Sequence, residues 1–539
     1  MKRILLIVTL VVLFVASCGK TGSSSTDKKI DLSKTLVINV KEEGKSYDPQ
    51  LANDSTGELV DSLIGEGLIR DGEGGKPAPG VAEKWDISED GLTWTFYLRK
   101  NAKWSNGDAI TANDFKAGWL RALNQDTASE YAHMIYPVKN AENYNKGEVG
   151  PENVGIEVVD DYTLKVTLES PLPYFDKMVK IFTYMPLNEK FFSTVGEKYM
   201  TSPETAISSG AYIIKSWTRD SDILFEKNPN YWNKDAIKLE AVQIKFINDS
   251  EASLNAFKNG EVDITNITTE QAKSYVGDDR LWLTKNGATY YMTFNLKNPV
   301  LSNKKIRQAL TLAIDREELV KEVLSGVGKT SYTYTVKDSG IFGVEKDFPE
   351  EAGDVFPKYD VVKAKQLLEE GLKELGIEKL PQLTYIFNES GNNKAIAEYI
   401  QESIRKNLGV EIGIESMTFK ERLGRMETKD YDIAYAGFAG DYADAISYLE
   451  RFESTNGNNY SQYVNPRYDA LAREIKSSAN QKERVSKMIE LEKIIAEDMP
   501  VGLLYFSEVT KLVNPRVKGL VMIPIGNDYQ LGNVYLENK

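Results

Sequence analysis

Residues 396–414 of the chain read IAEYIQESIRKNLGVEIGI, and this stretch combines a helical pattern with a strand pattern. Apolar residues recur at every fourth position from 396 to 408, which places them on one face of a helix. Gly409 ends this pattern, because glycine readily adopts the left-handed conformation that closes a helix. Apolar residues then alternate over 410–414, as is typical of a half-buried strand. The stretch therefore predicts a helix-then-strand unit of an α/β fold.

The rest of the later half repeats this unit. Residues 302–314 and 367–376 each predict an amphipathic helix, and residues 488–506 predict a helix followed by a strand. The early half instead shows strand patterns, for example over 92–98 and 162–168. Helices that alternate with apolar strands predict an α/β domain with a largely parallel sheet. Ligands of such sheets bind at the carboxyl ends of the strands.

The N-terminus carries the pattern of an export signal. A positively charged start precedes an apolar run over 4–15, which falls short of the roughly 20 residues of a membrane span. Residues 15–18, VASC, resemble a bacterial lipobox, in which Cys18 becomes the acylated first residue of the mature chain. We therefore predict a signal peptide over 1–17, a lipidated tether over 18–34, and an extracytoplasmic protein that is anchored to the membrane by lipid.

The composition limits the number of domains and the classes of partner. The chain has 539 residues, so the part after the tether is too long for one hydrophobic core and predicts two or three domains. Its formal net charge is −14 and no basic patch stands out, which argues against nucleic acid as a ligand. Cys18 is the single cysteine, so no intrachain disulfide can form.

Residue types needed for several kinds of catalytic and metal site are scarce. His133 is the single histidine, so a nucleophile activated by histidine would have to use it. No group of His and Cys has the spacing of metal ligands, and no glycine-rich phosphate loop is present. A hydrolase with paired carboxylates stays open, because 80 acidic residues supply many pairs. We predict a protein without catalytic residues, metal or cofactor.

Nine short motifs follow one another along nearly the whole mature chain. They are SYDP (46–49), KPAPGVAEKW (76–85), DGLTWTFYLR (90–99), KWSNGD (103–108), TANDF (111–115), SGAY (209–212), NPNYW (228–232), RQAL (307–310) and GDY (440–442). In this order they resemble the peptide-binding lipoproteins of ABC importers, a large solute-binding class that also includes dipeptide and nickel binders. Because the match is ordered over such a length, the resemblance is specific.

This resemblance implies a two-lobed periplasmic-binding-protein fold of the Venus flytrap type, with an extra domain and three domains in all. Residues 30–65, 190–290 and 508–539 would form the first lobe, residues 66–189 the extra domain, and residues 291–507 the second lobe. The lobes would close on the ligand by a hinge motion. The implied partners are an oligopeptide and the permease subunits of an ABC transporter, and we expect a monomer.

The resemblance also places the peptide between the lobes, extended and paired through its main chain with protein strands, which gives affinity independent of side-chain sequence. The matching residues, three on each lobe, are Asn53, Asp54 and Ser55 and then Gly437, Phe438 and Ala439. Tyr131 matches a tyrosine that lines the site in relatives, and Asp441 matches the aspartate that pairs with the peptide α-amino group. A closed cleft excludes water, so a charged amine in it needs a fixed opposite charge.

Several of these assignments have alternatives. In well-known relatives a histidine and an arginine help to neutralise the peptide's C-terminal carboxylate, but their positions correspond here to Asn393 and Tyr435, and neither is cationic. Arg425 or a lysine is the alternative partner for that carboxylate. Asp441 could instead cap a helix predicted over 443–450, because aspartate is a preferred N-cap.

Other functions compete with peptide import. A nickel or haem binder on the same fold would be expected to offer His or Met contacts, and His133 is the only histidine. A tethered peptide binder could also serve as a pheromone receptor or adhesin, and glycan binders share the fold. A secreted hydrolase would show turnover of a labelled peptide. Neighbouring permease and ATPase genes would separate an importer from an adhesin.

Overall fold

A computed structural model describes residues 34–72, 76–337, 340–341, 343–389, 391–522, 525 and 529–537. The signal peptide over 1–17, Cys18 and all of the tether except Lys34 lie outside the described residues, so those predictions stay predictions. Among the residues that are described, no helix is both long and apolar enough to cross a membrane.

Within the described ranges, strands form one long sheet, one four-stranded sheet and short two-stranded ribbons. The strands are β1 (Thr35–Val40), β2 (Ile69–Asp71), β3 (Pro77–Pro79), β4 (Ala82–Ile87), β5 (Thr93–Leu98), β6 (Ile156–Asp160), β7 (Thr163–Thr167), β8 (Tyr212–Thr218), β9 (Asp222–Lys227), β10 (Ala241–Phe246), β11 (Ile264–Asn266), β12 (Leu281–Phe294), β13 (Lys329–Thr330), β14 (Leu383–Asn388), β15 (Ile412–Met417), β16 (Ile433–Ala439), β17 (Val501–Val513), β18 (Val517–Lys518), β19 (Val521–Met522), β20 (Tyr529–Gln530) and β21 (Tyr535–Leu536).

The α-helices of the same ranges vary from a single turn to 18 residues. They are α1 (Ser55–Ile64), α2 (Ala112–Leu123), α3 (Ala141–Asn145), α4 (Phe175–Met178), α5 (Glu189–Val195), α6 (Ser250–Lys258), α7 (Thr269–Ala272), α8 (Lys304–Leu312), α9 (Arg316–Glu318), α10 (Phe348–Ala352), α11 (Val361–Leu375), α12 (Asn393–Leu408), α13 (Phe419–Glu427), α14 (Ile446–Leu449), α15 (Pro466–Ser477) and α16 (Gln481–Asp498).

The helices predicted in the later half are confirmed, and local sequence explains their ends. α8 begins after Asn303, whose side chain accepts hydrogen bonds from the backbone N–H groups of Lys305 and Ile306. α11 and α12 end at Gly376 and Gly409, which have left-handed φ angles of 68° and 69°. These local signals fix where each helix starts or stops.

The long sheet is mixed, which corrects the prediction of a largely parallel sheet. Its strand order is β15-β14-β16-β12-β17-β11-β1-β10-β9-β8, with β13 beside β17. Pairing is parallel within β15-β14-β16 and within β11-β1-β10, whereas β12 and β17 are antiparallel to all their neighbours. The prediction was wrong because apolar alternation indicates which face of a strand is buried but not the direction of its neighbour.

β12 and β17 connect the two ends of this sheet and make the molecule two-lobed. They pair over 281–285 of β12 and again over 289–293, and the register shifts between these stretches. Gly287 lies in the interruption with a left-handed φ of 62°, and its carbonyl accepts a hydrogen bond of 2.5 Å from the Tyr448 hydroxyl. Strands β1 and β8–β11 lie on one side of the interruption, and β14–β16 lie on the other.

Residues 66–189 contain the separate four-stranded antiparallel sheet β4-β5-β7-β6. Helix α2 begins after Thr111, which forms a capping box with Asp114. Arg121 of α2 lies 2.6 Å from the carboxylate of Asp48, in the segment after β1. This ion pair ties residues 66–189 to the lobe that contains β1.

Candidate functional site

β16 has one side without a partner strand. On the other side the whole strand pairs with β12, where Ala439 lies directly opposite Ala288. β14 pairs only with Ile433 and Ala434. In the described part of the chain, no strand therefore lies beside residues 435–439 on the β14 side. We call this side of residues 435–439 the open edge.

The residues predicted to pair with a peptide lie on the open edge. Gly437 and Ala439 are exposed, and Phe438 is half-buried. The carbonyl of Asp432 accepts a hydrogen bond of 2.9 Å from the backbone N–H of Asn295, at the end of β12. Since alternate residues of a strand turn their N–H and C=O groups to opposite sides, Gly437 and Ala439 present theirs to the open edge. An extended chain can add to the sheet there.

Tyr435 supports this strand from within the core. Its side chain is buried, its hydroxyl lies 2.7 Å from the Tyr505 hydroxyl, and its ring stacks on Tyr290 with centroids 5.3 Å apart. The buried guanidinium of Arg422, on α13, donates a hydrogen bond to the Tyr435 carbonyl. Arg422 has no acidic partner among the described residues. Tyr435, predicted as a ligand residue, thus lies in a buried aromatic cluster.

The two other residues considered for the peptide carboxylate already have partners. Asn393 is the first residue of α12, and its side-chain amide donates a hydrogen bond of 2.9 Å to the Asn388 carbonyl. Arg425 lies 3.0 Å from the carboxylate of Glu415 and 3.5 Å from that of Asp430. Asp430 precedes β16, so Arg425 lies at the end of the strand remote from the predicted amine anchor.

Asp441 lies two residues beyond β16. Its backbone N–H donates a hydrogen bond of 2.8 Å to the Ser447 hydroxyl, but its carboxylate has no hydrogen-bond partner within the described ranges. Asp441 does not cap the helix: α14 begins at Ile446 after Ala445, and the N–H of Ile446 donates a hydrogen bond to the Asp444 carboxylate. Asp441 therefore offers its carboxylate at the end of the open edge.

The Asp441 side chain is exposed, although protein atoms lie near its carboxylate. Desolvation raises the pKa of this carboxyl above its usual range, and electrostatic interactions with His133 and Arg451 partly offset the effect. Burial also raises the pKa of the Tyr131 hydroxyl to about 12, with a further contribution from Asp441. The structure thus brings Tyr131 and His133, from residues 66–189, close to Asp441.

Of the three residues predicted on the first lobe, one serves a structural role. The carboxylate of Asp54 caps α1 through the N–H of Gly57 and also accepts the N–H of Lys45, both at 2.8 Å. The side-chain oxygen of Asn53 is buried and has no hydrogen-bond partner among the described residues, and Ser55 is exposed. Ser55 thus leaves a polar group at the surface, whereas the Asn53 oxygen is unpaired but enclosed.

Arg451 lies behind the open edge and was missed in the sequence. Its guanidinium is 4.5 Å from the ring centroid of Phe438 and 5.2 Å from that of Tyr460, within cation–π range. Tyr448 meets the Phe438 ring edge-on at 5.7 Å. These contacts fix the apolar wall that Phe438 offers. No local pattern marks Arg451, because its partner ring lies on another element.

Two further features bear on the kind of ligand. Within the described residues, no three His, Cys, Asp or Glu side chains gather as metal ligands. A polar surface cavity of about 350 Å³ lies beside Asp432, and of the candidate ligand residues only the alternative, Arg425, lines it. The polar and apolar groups that suit an extended peptide are instead those at the open edge.

Comparison with known proteins gives concordant matches over nearly the whole chain. The model of one family, described as bacterial extracellular solute-binding proteins, family 5 Middle, matches residues 76–460. The dipeptide-binding protein DppE of Bacillus subtilis is 34% identical over 508 residues, which cover 94% of this chain and 93% of DppE. The oligopeptide-binding protein OppA of the same organism is 34% identical over 544 residues, covering 98% of this chain and 99% of OppA.

Solved structures agree with these matches. The structure of Listeria monocytogenes OppA bound to peptide superposes with a TM-score of 0.77 at 32% sequence identity. The superposition covers 94% of this chain and 99% of that chain. The two-lobed mixed α/β fold described above is therefore shared with that structure.

Proposed function

Because the chain belongs to family 5 of the bacterial extracellular solute-binding proteins, we propose that it captures oligopeptides outside the cytoplasm and delivers them to a membrane ABC transporter. The observation that carries the proposal is the open edge of β16, which ends beside the Asp441 carboxylate. The peptides named for DppE and OppA, and the peptide bound to Listeria OppA, support it. The family is a solute-binding family, and we propose that this member acts without catalysis, metal or cofactor.

In the proposed binding mode, the peptide adds as one strand to the open edge. Its main chain pairs with Gly437 and Ala439, so affinity depends little on side-chain sequence. The peptide α-ammonium meets the Asp441 carboxylate, because a charge enclosed between the lobes needs an opposite charge. Phe438 and Tyr131 provide apolar walls, as rings that pack on the peptide's first residues.

We propose that residues 30–65, 190–290 and 508–539 form the first lobe, residues 66–189 the extra domain, and residues 291–507 the second lobe of a monomer. The register interruption between β12 and β17 lies next to the boundary between the proposed lobes. A break in a two-strand ladder is a natural hinge, because few backbone hydrogen bonds resist rotation there.

A saturating peptide is expected to compact the protein and raise its melting temperature. Ligand that binds only the folded state at a hundred times its dissociation constant stabilises it by about 2.7 kcal/mol. Small-angle scattering and thermal unfolding of ligand-free, full-length protein with and without tetra-alanine measure both effects. Tetra-alanine is suitable because it relies on main-chain contacts.

The matched control is the Asp441→Asn protein at the same tetra-alanine concentration, in which both changes should be much smaller. A peptide that binds without reducing the radius of gyration would contradict the closing of the lobes. The measurement requires removal of any copurified peptide, and mass spectrometry of that peptide would identify natural ligands directly.

We propose that the mature protein begins at an acylated Cys18 and is held at the outer face of the membrane. One acyl chain gives only marginal membrane binding, so two or three are needed for stable anchoring. The pattern of a positively charged start, an apolar run and VASC over 15–18 supports this proposal.

Cys18→Ala is expected to release the protein from the membrane or leave it unprocessed, because no acyl group can be attached. Membrane fractionation and mass spectrometry of the N-terminal peptide measure this, with Ser24→Ala in the tether as the matched control. Normal membrane retention of unmodified Cys18→Ala protein would show that the lipid is not the anchor.

The same binding site could serve a surface receptor or an adhesin, and we propose import. Neighbouring genes for permease and ATPase subunits check this assignment without any biochemistry. Loss of uptake of a labelled peptide on deletion of the gene would support import, and unchanged uptake with lost surface attachment would support an adhesin.

A further inference from the structure

The segment that follows Asp441 is packed directly against residues 66–189. The ring of Tyr442 stacks on the ring of Tyr174, with centroids 5.1 Å apart and planes 9° from parallel. The ammonium of Lys177, in α4, donates a hydrogen bond of 2.7 Å to the Ala443 carbonyl. The same ammonium lies 3.7 Å from the Asp444 carboxylate. Three consecutive residues of the second lobe thus contact α4 or Tyr174, the residue directly before it.

These contacts are built into the interior and are not incidental surface contacts. Tyr174 and Tyr442 are both buried, at 3% and 6% exposure. Asp444 is held from within its own lobe by Arg484, at 2.9 Å, and this guanidinium also lies 4.8 Å from the Tyr174 ring centroid. Lys177 therefore adds a second charge to a pair that is already complete. Its position is explained better by the Ala443 carbonyl than by a need to neutralise Asp444.

The orientation of Asp441 depends on its neighbours in the chain. Its carboxylate has no hydrogen-bond partner among the described residues, and only its backbone N–H is held, by Ser447. Gly440 lies so close to Tyr448 that an added Cβ would be 2.4 Å from a ring carbon, which fixes the chain before Asp441. Tyr442 and Ala443 fix the chain after it, but they are held from outside the second lobe by Tyr174 and Lys177.

We propose that Tyr174 and Lys177 are positioning residues for the amine anchor: by clamping residues 442–444 they aim the Asp441 carboxylate at the peptide α-ammonium. This inference rests on the proposed function. The anchor is then complete only when residues 66–189 are docked against the second lobe. A peptide whose amine has entered the cleft gains its full ion pair after closure, which couples recognition of the amine to the closed state.

Calorimetry with two probes, tetra-alanine and N-acetyl-tetra-alanine, tests the inference on the full-length protein. Lys177→Met keeps the aliphatic stem and removes the hydrogen bond to Ala443. We expect this change to reduce the preference for the free amine by about tenfold, since the loss of a hydrogen bond from a charged group changes a dissociation constant by about that factor. The measured quantity is the ratio of the two dissociation constants, so a general loss of affinity cancels.

Tyr174→Leu should reduce the same ratio by a similar factor. The conservative changes Lys177→Arg and Tyr174→Phe should restore most of the preference, because they keep the charge and the stacked ring. Lys165→Met is the matched control, since Lys165 pairs at 2.9 Å with Glu157 on the exposed side of the same segment. That variant should leave the ratio unchanged.

An unchanged ratio in Lys177→Met, whether or not both affinities fall together, would overturn the inference and leave the proposed function intact. The Lys177→Met arm does not depend on whether Tyr174→Leu folds. A wild-type protein that binds both probes equally would overturn the inference together with the amine anchor. The two failures are therefore distinguishable in the first titration.

Discussion

Asp441→Asn is expected to weaken the binding of a peptide with a free α-amino group by roughly a hundred- to several-thousand-fold. Removing one member of an enclosed ion pair costs ~3–5 kcal/mol, because the other charge is left without a partner. Asparagine keeps the shape of the side chain and removes its charge, so the loss of affinity comes from the lost electrostatic interaction and not from altered packing. Isothermal titration calorimetry of the ligand-free protein measures it.

One peptide in four forms, free, acetylated, amidated and blocked at both ends, supplies the controls. Acetylation should cost the wild-type protein about as much as the substitution does, and should cost Asp441→Asn little more. Amidation should cost far less, because Asn393 and Tyr435 carry no positive charge and Arg425 is paired elsewhere. Equal losses of affinity from acetylation and amidation would show that the protein binds both charged ends of the peptide. Arg422 would then be the cation to test next.

Arg484→Met is expected to lower the free energy of unfolding of the second lobe by ~3–5 kcal/mol. The side chains of Arg484 and Asp444 are only 1% and 3% exposed, and the pair spans 2.9 Å. Methionine fills much of the volume but leaves a buried carboxylate with only Lys177, 3.7 Å away, as a positive neighbour. Thermal unfolding followed by circular dichroism should show a melting temperature lower by roughly 10 °C.

The stabilisation by the Arg484–Asp444 ion pair should depend on pH in a definite direction. Burial acts to raise the pKa of Asp444, but Arg484, Lys177 and hydrogen bonds outweigh it, so the pKa lies below its usual range. The stabilisation is present above the unfolded pKa of about 3.9 and is lost as the pH falls through the lowered value. The difference in melting temperature between the wild-type protein and Arg484→Met should therefore become smaller in acid. A difference that does not change with pH would show that the ion pair is not the source of the lost stability.

Exposed pairs provide the comparison for this substitution. Arg405 lies 2.7 Å from Glu402 on α12, and both side chains are about half exposed. Arg405→Met should leave the melting temperature almost unchanged, because solvent screens exposed charges. If the melting temperature fell by a similar amount in Arg405→Met and Arg484→Met, removal of an arginine, and not burial of the ion pair, would be the cause of the lower stability.

Elements whose signals are local could be predicted from the sequence. Asn303 caps α8 with its own side chain, and Gly376 and Gly409 end their helices through their own backbone conformation. Strand directions could not be predicted in this way. β12 and β17 pair across 220 or so positions of the chain, and nothing in either strand encodes that partner.

The candidate site shows the same division. The resemblance to a family indicated Asp441 and residues 437–439, whose type and order match a motif. It did not indicate Lys177, because its contact with Ala443 joins residues 266 positions apart. Nor did it indicate that Tyr435 would be buried, since one tyrosine within an apolar strand is compatible with either a wall of the cleft or its support.

The early departure of β14 from β16 has a consequence for what can be bound. Pairing stops at Ala434, so the gap between these strands is a notch in the middle of a sheet and not an outer border. An extended chain that adds to a sheet takes up about 4.8 Å, so we expect the open edge to accept a single extended chain. A folded protein presents its border strand with further strands attached, and we expect that stack to be excluded. We therefore expect the open edge to accept loose peptide fragments and to exclude folded neighbours, and we expect its place within the sheet to limit the aggregation to which exposed sheet borders are prone.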